Sequence, residues 1–180
     1  MPEFKLLFSP AAIQARVDEL AEAISAHYGE CREPVVAVCV LKGAFIFFAD
    51  LIRKLKLEPE LDFVRLASYG NQTSPSERLL FSKDMEINVK GKHVLIVEDI
   101  VDTGSTVHYL SNVLAARGPL SIRICSLIHK WERREAEVDL DFYGFRLEKG
   151  FVVGYGLDCA ERYRQLQAIY ELIFSQDETA

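Results

Sequence analysis

The chain has 180 residues, enough to bury about 70% of its extended surface, so one self-sufficient domain spanning residues 1–180 is expected. Its 49% hydrophobic and 27% charged content excludes disordered, collagen-like and low-complexity classes. Asp and Glu outnumber Lys and Arg by 27 to 21, giving a net charge of −6, which opposes a surface for wrapping nucleic acid but leaves a local anion site open. The four cysteines, Cys31, Cys39, Cys125 and Cys159, form no CxxC pair and suggest neither a zinc site nor a disulfide framework. Reduced thiols in a cytoplasmic protein are the expectation. Met1 to Ala12 lacks a basic stretch followed by a long apolar run, so no secretory signal is expected. Val35 to Ile52 is the most apolar stretch, yet Lys42 at its middle and Asp50 near its end favour a buried strand and helix over a membrane span.

In chain order, Ser9 reads as an N-cap and Pro10 as the first helical residue. Ile13, Val17, Leu20, Ile24 and Tyr28 then recur at helical spacing as far as Gly29. Val35 to Leu41 is a continuous, largely β-branched apolar run, the pattern of a strand covered on both faces, and Gly43 to Lys56 reads as a helix. Leu61 to Ser68 and Leu79 to Ser82 read as strands flanking the polar stretch Tyr69 to Arg78. His93 to Val97 is another buried strand, followed by an acidic, glycine-containing turn, a helix from about Ser105 to Ala116 and a strand from Ile122 to Ile128. The alternation predicts an α/β domain around a mainly parallel sheet flanked by helices. Beyond Lys130, strand-like pieces at Leu140–Phe145 and Phe151–Tyr155 are expected to pack over the functional edge of that sheet.

Val94 to Thr106, VLIVEDIVDTGST, concentrates the chemistry. A buried strand ends in two adjacent carboxylates, Glu98 and Asp99, and a turn through Asp102, Thr103, Gly104, Ser105 and Thr106 leads into a helix. Backbone N–H groups, three hydroxyls and the positive end of the helix dipole can converge there on one phosphate. Adjacent carboxylates suit ribose hydroxyls and a hydrated Mg²⁺, which takes a few carboxylates plus substrate oxygens. The rival structural reading makes Asp102 a helix cap and Glu98 and Asp99 solvated loop charges.

Val97 to Thr106 resembles the phosphoribosyl-pyrophosphate (PRPP) motif of type I phosphoribosyltransferases, and no GxxxxGK[ST] loop occurs. Leu41-Lys42-Gly43, Ser68-Tyr69-Gly70, Lys130, the segment Phe151 to Asp158, and Arg164 are similar, in that order, to segments of the hypoxanthine-guanine phosphoribosyltransferases. The resemblance implies the type I fold with a small hood built partly from the C-terminal segment. It implies a Mg²⁺-dependent reaction in which a 6-oxopurine displaces pyrophosphate from PRPP through an oxocarbenium-like state, and a homodimer or homotetramer.

The resemblance also implies roles for individual residues. Asp102 becomes the general acid/base. Glu98, Asp99, Asp102, Thr103, Gly104, Ser105 and Thr106 bind ribose and phosphate. Lys42, Gly43 and Arg164 bind pyrophosphate, with a cis Leu41–Lys42 peptide. Lys130, Phe151, Val152 and Ile100 bind the purine, Ser68 and Tyr69 open a lid over Tyr69–Arg78, and Glu98, Asp99 and Asp158 serve Mg²⁺. Each has a structural rival: a solvated lysine at a strand end for Lys42 and Lys130, core strand for Phe151, a surface ion pair for Arg164, a variable loop for the lid. Cys159, Gly150 and Gln165-Leu166-Gln167 depart from the usual pattern near the pocket, and Trp131 could flank the base or pack on the core. A xanthine-preferring enzyme and a PRPP-sensing nucleic-acid-binding regulator remain as alternatives. Against the regulator stand the acidic balance and the absence of any basic cluster denser than Arg133-Arg134.

Overall fold

The computed structural model describes residues 2–69, 78–130 and 138–174. In chain order the elements are β1 (Glu3–Phe8), α1 (Pro10–Tyr28), β2 (Val35–Leu41), α2 (Phe45–Ile52), β3 (Glu60–Tyr69), β4 (Arg78–Lys83), β5 (His93–Val101), α3 (Ser105–Ala115), β6 (Ser121–Lys130), β7 (Phe142–Leu147), β8 (Val152–Val153) and β9 (Ile169–Ile173). Six strands form one sheet in the order β4-β3-β2-β5-β6-β7, parallel throughout except for the β3–β4 edge pair. The remaining three form an antiparallel sheet, β1-β9-β8.

The apolar runs sit where burial on both faces demands them. Alternation along β2 sends Ala37 and Cys39 into one core with α1 and α2, through Ile13, Val17, Phe47 and Leu51. Val36, Val38 and Val40 enter a second core with Leu110 and Leu114 of α3. Leu95 and Val97 of β5 join the first core, and Val94 and Ile96 the second. A strand with helices on both sides has no solvent face, hence the unbroken hydrophobicity. Chain order reverses between β2 and β5: β3 lies on the far side of β2, and β6 on the far side of β5. The crevice beyond the carboxyl ends of β2 and β5 is therefore the topological switch point, where ligands of such sheets bind.

Several expected boundaries are corrected. The helix after β2 is shorter than Gly43–Lys56: Phe45 N–H donates to the Lys42 carbonyl in a turn, and beyond Ile52 the Lys56 N–H is taken by Ser25 Oγ at 2.9 Å as the chain heads for β3. β5 does not stop at Val97. Glu98, Ile100 and Val101 pair with Ser126, Ile128 and His129 of β6, so the acidic pair lies within the strand and not in a loop. The segment after residue 138 divides: β7 joins the main sheet beside β6, whereas β8 and β9 join the small one. β8 covers only Val152 and Val153, because Gly154, Tyr155 and Gly156 all take positive φ and turn the chain. β1 and β9 have no counterpart in the sequence reading, so the hood expected from the C-terminal segment is built from both ends of the chain. β1 is largely exposed and shows no inside–outside alternation for a periodicity argument to find.

Among the described residues, no helix is long and apolar enough to cross a membrane, and Val35–Ile52 divides into β2 and α2. All four cysteines are free. Ser9 caps α1 as expected, its hydroxyl accepting from Ala12 N–H at 3.2 Å. Ser9→Ala should cost about 1 kcal/mol of stability, read as a lower midpoint with an unchanged slope in denaturant unfolding.

Candidate active site

Three adjoining cavities, of about 280, 200 and 110 Å³, lie at the carboxyl ends of β2, β5 and β6. Ile100 lines all three, as the shared wall between them. Leu41, Gly43, Glu98 and Asp99 line the largest, Asp102, Lys130, Phe151 and Asp158 the second, and Thr103, Gly104 and Thr106 the smallest.

Glu98 is 6% exposed, and its Oε1 accepts from Asp99 N–H at 3.0 Å. Burial, reinforced by the neighbouring Asp99 charge, pushes its carboxyl well above the ordinary range. Burial likewise raises Asp99, against the bond its Oδ1 accepts from Ile100 N–H at 2.8 Å. Beneath them the Cys39 thiol is pushed up to about 12, by burial first and then by the two carboxylates. These are not solvated charges. They are desolvated acceptors at a cavity wall, and among the described residues their compensating partners are outweighed by burial.

Gly43 explains how β2 approaches them. A Cβ at this position would lie 1.6 Å from Asp99 Oδ2, so only glycine lets the backbone pass against that carboxylate. The Leu41–Lys42 peptide is cis, as expected. The Lys42 ammonium pairs with Glu161 at 2.9 Å.

The second cavity brings Asp102 and Lys130 together, with Lys130 Nζ 3.3 Å from Asp102 Oδ2. Lys130 is only 8% exposed, which excludes the solvated strand end. Asp102 Oδ1 is buried without a hydrogen-bond partner among the described residues. Phe151 is 47% exposed at the rim, its ring edge-on to Phe174 at 6.1 Å, while Val152 and Val153 are buried as strand residues. The core-strand rival therefore holds for the valines and fails for the phenylalanine.

Nor does Asp102 cap α3. Gly104 occupies the N-cap at φ +83°, a left-handed conformation that glycine adopts without penalty, and Ser105 N–H is taken by Thr103 Oγ1 at 3.2 Å. With that carboxylate directed to Lys130, the turn presents hydroxyls and backbone at the start of an 11-residue helix, an anion-favouring arrangement.

Asp158 and Arg164 belong to one network. Arg164 donates to the Gly156 carbonyl at 2.8 Å and contacts Asp158 at 2.7 Å and Glu161 at 3.2 Å. Asp158 Oδ2 also accepts from Glu161 N–H at 2.8 Å. Arg164 is thus ion-paired, but at 19% exposure it is no loose surface residue. Ser68 and Tyr69 end β3 in register with Leu79 and Arg78. Their side chains, residues 70–77 of the expected lid, and Trp131 lie outside the described residues. Leu157 and Gly150 complete the second cavity, Gly150 being one of the departures noted near the pocket, and Glu161, which the sequence reading does not name, completes the Lys42–Arg164 network. Only the charge spacing Asp158-x-x-Glu161-x-x-Arg164 hinted at Glu161.

Comparison with known proteins agrees with this geometry. The family model described as phosphoribosyl transferase domain matches residues 9–160. The hypoxanthine phosphoribosyltransferase of Escherichia coli (strain K12) is 40% identical over 169 residues, covering 94% of this chain and 95% of its own. The hypoxanthine-guanine phosphoribosyltransferase of Bacillus subtilis (strain 168) is 42% identical over 165 residues, 92% and 91% of the two chains. A crystal structure of a hypoxanthine-guanine phosphoribosyltransferase from Bacillus anthracis, with a HEPES molecule in its active site, superposes with a TM-score of 0.88 at 40% identity, covering 95% of this chain and 100% of that one.

The buried carboxylates have a measurable consequence. Because Glu98 binds its proton more tightly in the folded chain than in the unfolded one, stability of the empty protein falls as pH rises from the ordinary glutamate range through the raised value. Glu98→Gln should therefore raise the melting temperature of the empty protein at pH 7–8 by about 2–4 °C, the shift that corresponds to ~1 kcal/mol in a domain of this size. The gain should shrink below about pH 4, where the unfolded glutamate is itself protonated. Thermal melts across pH check both.

Proposed function

The chain belongs to the phosphoribosyl transferase family, and from that membership and the site we infer a purine-salvage enzyme that joins the phosphoribosyl group of PRPP to hypoxanthine or guanine, releasing pyrophosphate. The observation that carries the choice of base is the Asp102–Lys130 pair, 3.3 Å apart in a cavity beside Phe151. O6 and N7 are neighbouring atoms on one edge of a 6-oxopurine, so an ammonium and a carboxylate side by side match that edge. Lys130 donates to O6; adenine presents a 6-amino donor there, so donor meets donor and the ammonium gains no acceptor from the base. Asp102 holds or accepts the proton at N7, a role that its buried Oδ1, without a hydrogen-bond partner among the described residues, supports. Phe151 stacks on the base, Ile100 forms the wall between base and ribose, and Val152 offers its carbonyl to a 2-amino group.

Transfer develops positive charge on the ribose ring and negative charge on the departing pyrophosphate, so both must be stabilised at once. Glu98 and Asp99 receive the ribose hydroxyls and lie against the nascent cation, and the burial that raises their pKa strengthens that attraction. The 5′-phosphate takes the turn Thr103 to Thr106, and the Lys42–Gly43 backbone with Arg164 takes the pyrophosphate. The donor set also fits Mg²⁺. Among the described residues no three His, Cys, Asp or Glu lie together as a protein cage, so Glu98 with Asp99 and, for a second ion through water, Asp158 would each supply part of a Mg²⁺ shell that water and substrate oxygens complete. Mg²⁺ held there would supply countercharge to the pyrophosphate.

A PRPP-dependent assay with hypoxanthine, guanine, xanthine and adenine, each with and without Mg²⁺, tests this reading. Turnover of the 6-oxopurines and not adenine is expected; turnover of adenine alone would overturn the role of Lys130. In the same assay Asp102→Asn should lower kcat by roughly 10²–10⁴ with PRPP binding kept, the usual scale of acid/base assistance.

A further inference from the structure

One oxygen, Glu161 Oε2, contacts both the Lys42 ammonium at 2.9 Å and the Arg164 guanidinium at 3.2 Å. Arg164 and the Lys42–Gly43 backbone are assigned above to pyrophosphate, and the Lys42 ammonium stands beside them in the same ion-pair network. We propose that Glu161 is a resident counter-anion for this cation pair, displaced when the pyrophosphate end of PRPP binds and returning as pyrophosphate leaves. The inference rests on that assignment of Lys42 and Arg164.

The loop is built to hold a carboxylate there. Glu161 sits at φ +62° between Ala160 at +49° and Tyr163 at +76°, left-handed conformations that L-residues other than Asn and Asp seldom take. Its N–H is fixed by Asp158 Oδ2 at 2.8 Å, and Cys159 and Arg162 exchange backbone bonds at 3.1 and 3.0 Å across the turn. Lys42 and then Arg164 hold the Glu161 carboxyl below the ordinary range, so it is ionised. The three side chains differ in freedom. Glu161 is 64% exposed and Lys42 44%, whereas Arg164 is 19% exposed and anchored on the Gly156 carbonyl. The carboxylate can swing outward while the arginine stays. Arg164 Nε, buried and without a hydrogen-bond partner among the described residues, is a further donor for the incoming anion.

A carboxylate that merely braces the two cations makes the opposite prediction. Removing a brace weakens pyrophosphate binding, whereas removing a competitor strengthens it. Calorimetric titration with pyrophosphate, Mg·PRPP and the nucleoside monophosphate product, on the wild type, Glu161→Gln and Glu161→Ala, separates them. Expected in both variants are Kd values for pyrophosphate and PRPP lower by roughly two- to fivefold, the scale for one exposed charge, with the nucleotide Kd unchanged. The gain should fade at 1 M salt and be smaller in a Lys42→Met background. Unchanged or weaker pyrophosphate binding in the Gln variant, whose shape matches the wild type, overturns the proposal even if the Ala variant fails to fold. A wild type that binds the nucleotide but neither PRPP nor pyrophosphate overturns instead the assignment of Lys42 and Arg164.

Discussion

Two adjacent carboxylates buried in a strand are an unfavourable thing to fold, and much of this molecule is arranged around them. Glu98 and Asp99 lie in β5, hydrogen-bonded mainly to their own backbone, with the apolar core beneath and the turn after β2 pressed against Asp99 Oδ2. Moving either carboxylate into solvent would relieve the desolvation, but pairing with β6 continues past them to Val101 and fixes their direction. A buried, uncompensated charge strongly favours whatever brings the missing countercharge or donors. Here the candidates are ribose hydroxyls, a developing cation and a divalent metal. The same desolvation that costs folding stability in the empty protein strengthens electrostatics at the moment of transfer.

The placement of opposite charges follows from topology. Reversal of strand order between β2 and β5 opens a crevice that no crossover helix fills. Into it come the turn after β2, the acidic end of β5, the start of α3 and the end of β6. The segment 150–164 returns from the small sheet and adds Phe151, Asp158 and Arg164. A protein of net charge −6 can thus present a polyanion site without a basic surface. Backbone, hydroxyls and a helix terminus line the crevice, in keeping with the proposed phosphate sites, and the cations there are few and local.

Legibility in the sequence tracked the kind of physics involved. β2 and α1 were readable because two-sided burial and helical spacing leave a trace, and Ser9 marks the start of α1 chemically, whereas the Gly104 cap of α3 emerged only from the structure. The Glu98-Asp99 to Thr106 segment was readable as chemistry because strand, carboxylates and glycine turn are contiguous. β1 and β9 were missed since their pairing is non-local and their burial partial. The closeness of Asp102 to Lys130, 28 residues apart, and of Lys42 to Glu161, 119 residues apart, is a property of the sheet order and of the hood segment. No local pattern encodes such a distance.

Ion pairing in the site gives the empty and loaded states a common electrostatic logic. Lys130 faces Asp102, Arg164 faces Asp158, and Lys42 faces Glu161, so each named cation already has an anion of the chain beside it. A partly buried charge left alone is costly, and a neighbour of opposite sign offsets that cost and orients both side chains. A substrate then exchanges one set of partners for another and does not have to create charge separation from nothing. The pairs differ in burial, and that difference orders their roles. The Lys130–Asp102 pair, with its lysine buried, suits the proposed reading of a base edge. The outermost, Lys42–Glu161, is exposed enough to open, which suits its proposed place beside the departing pyrophosphate.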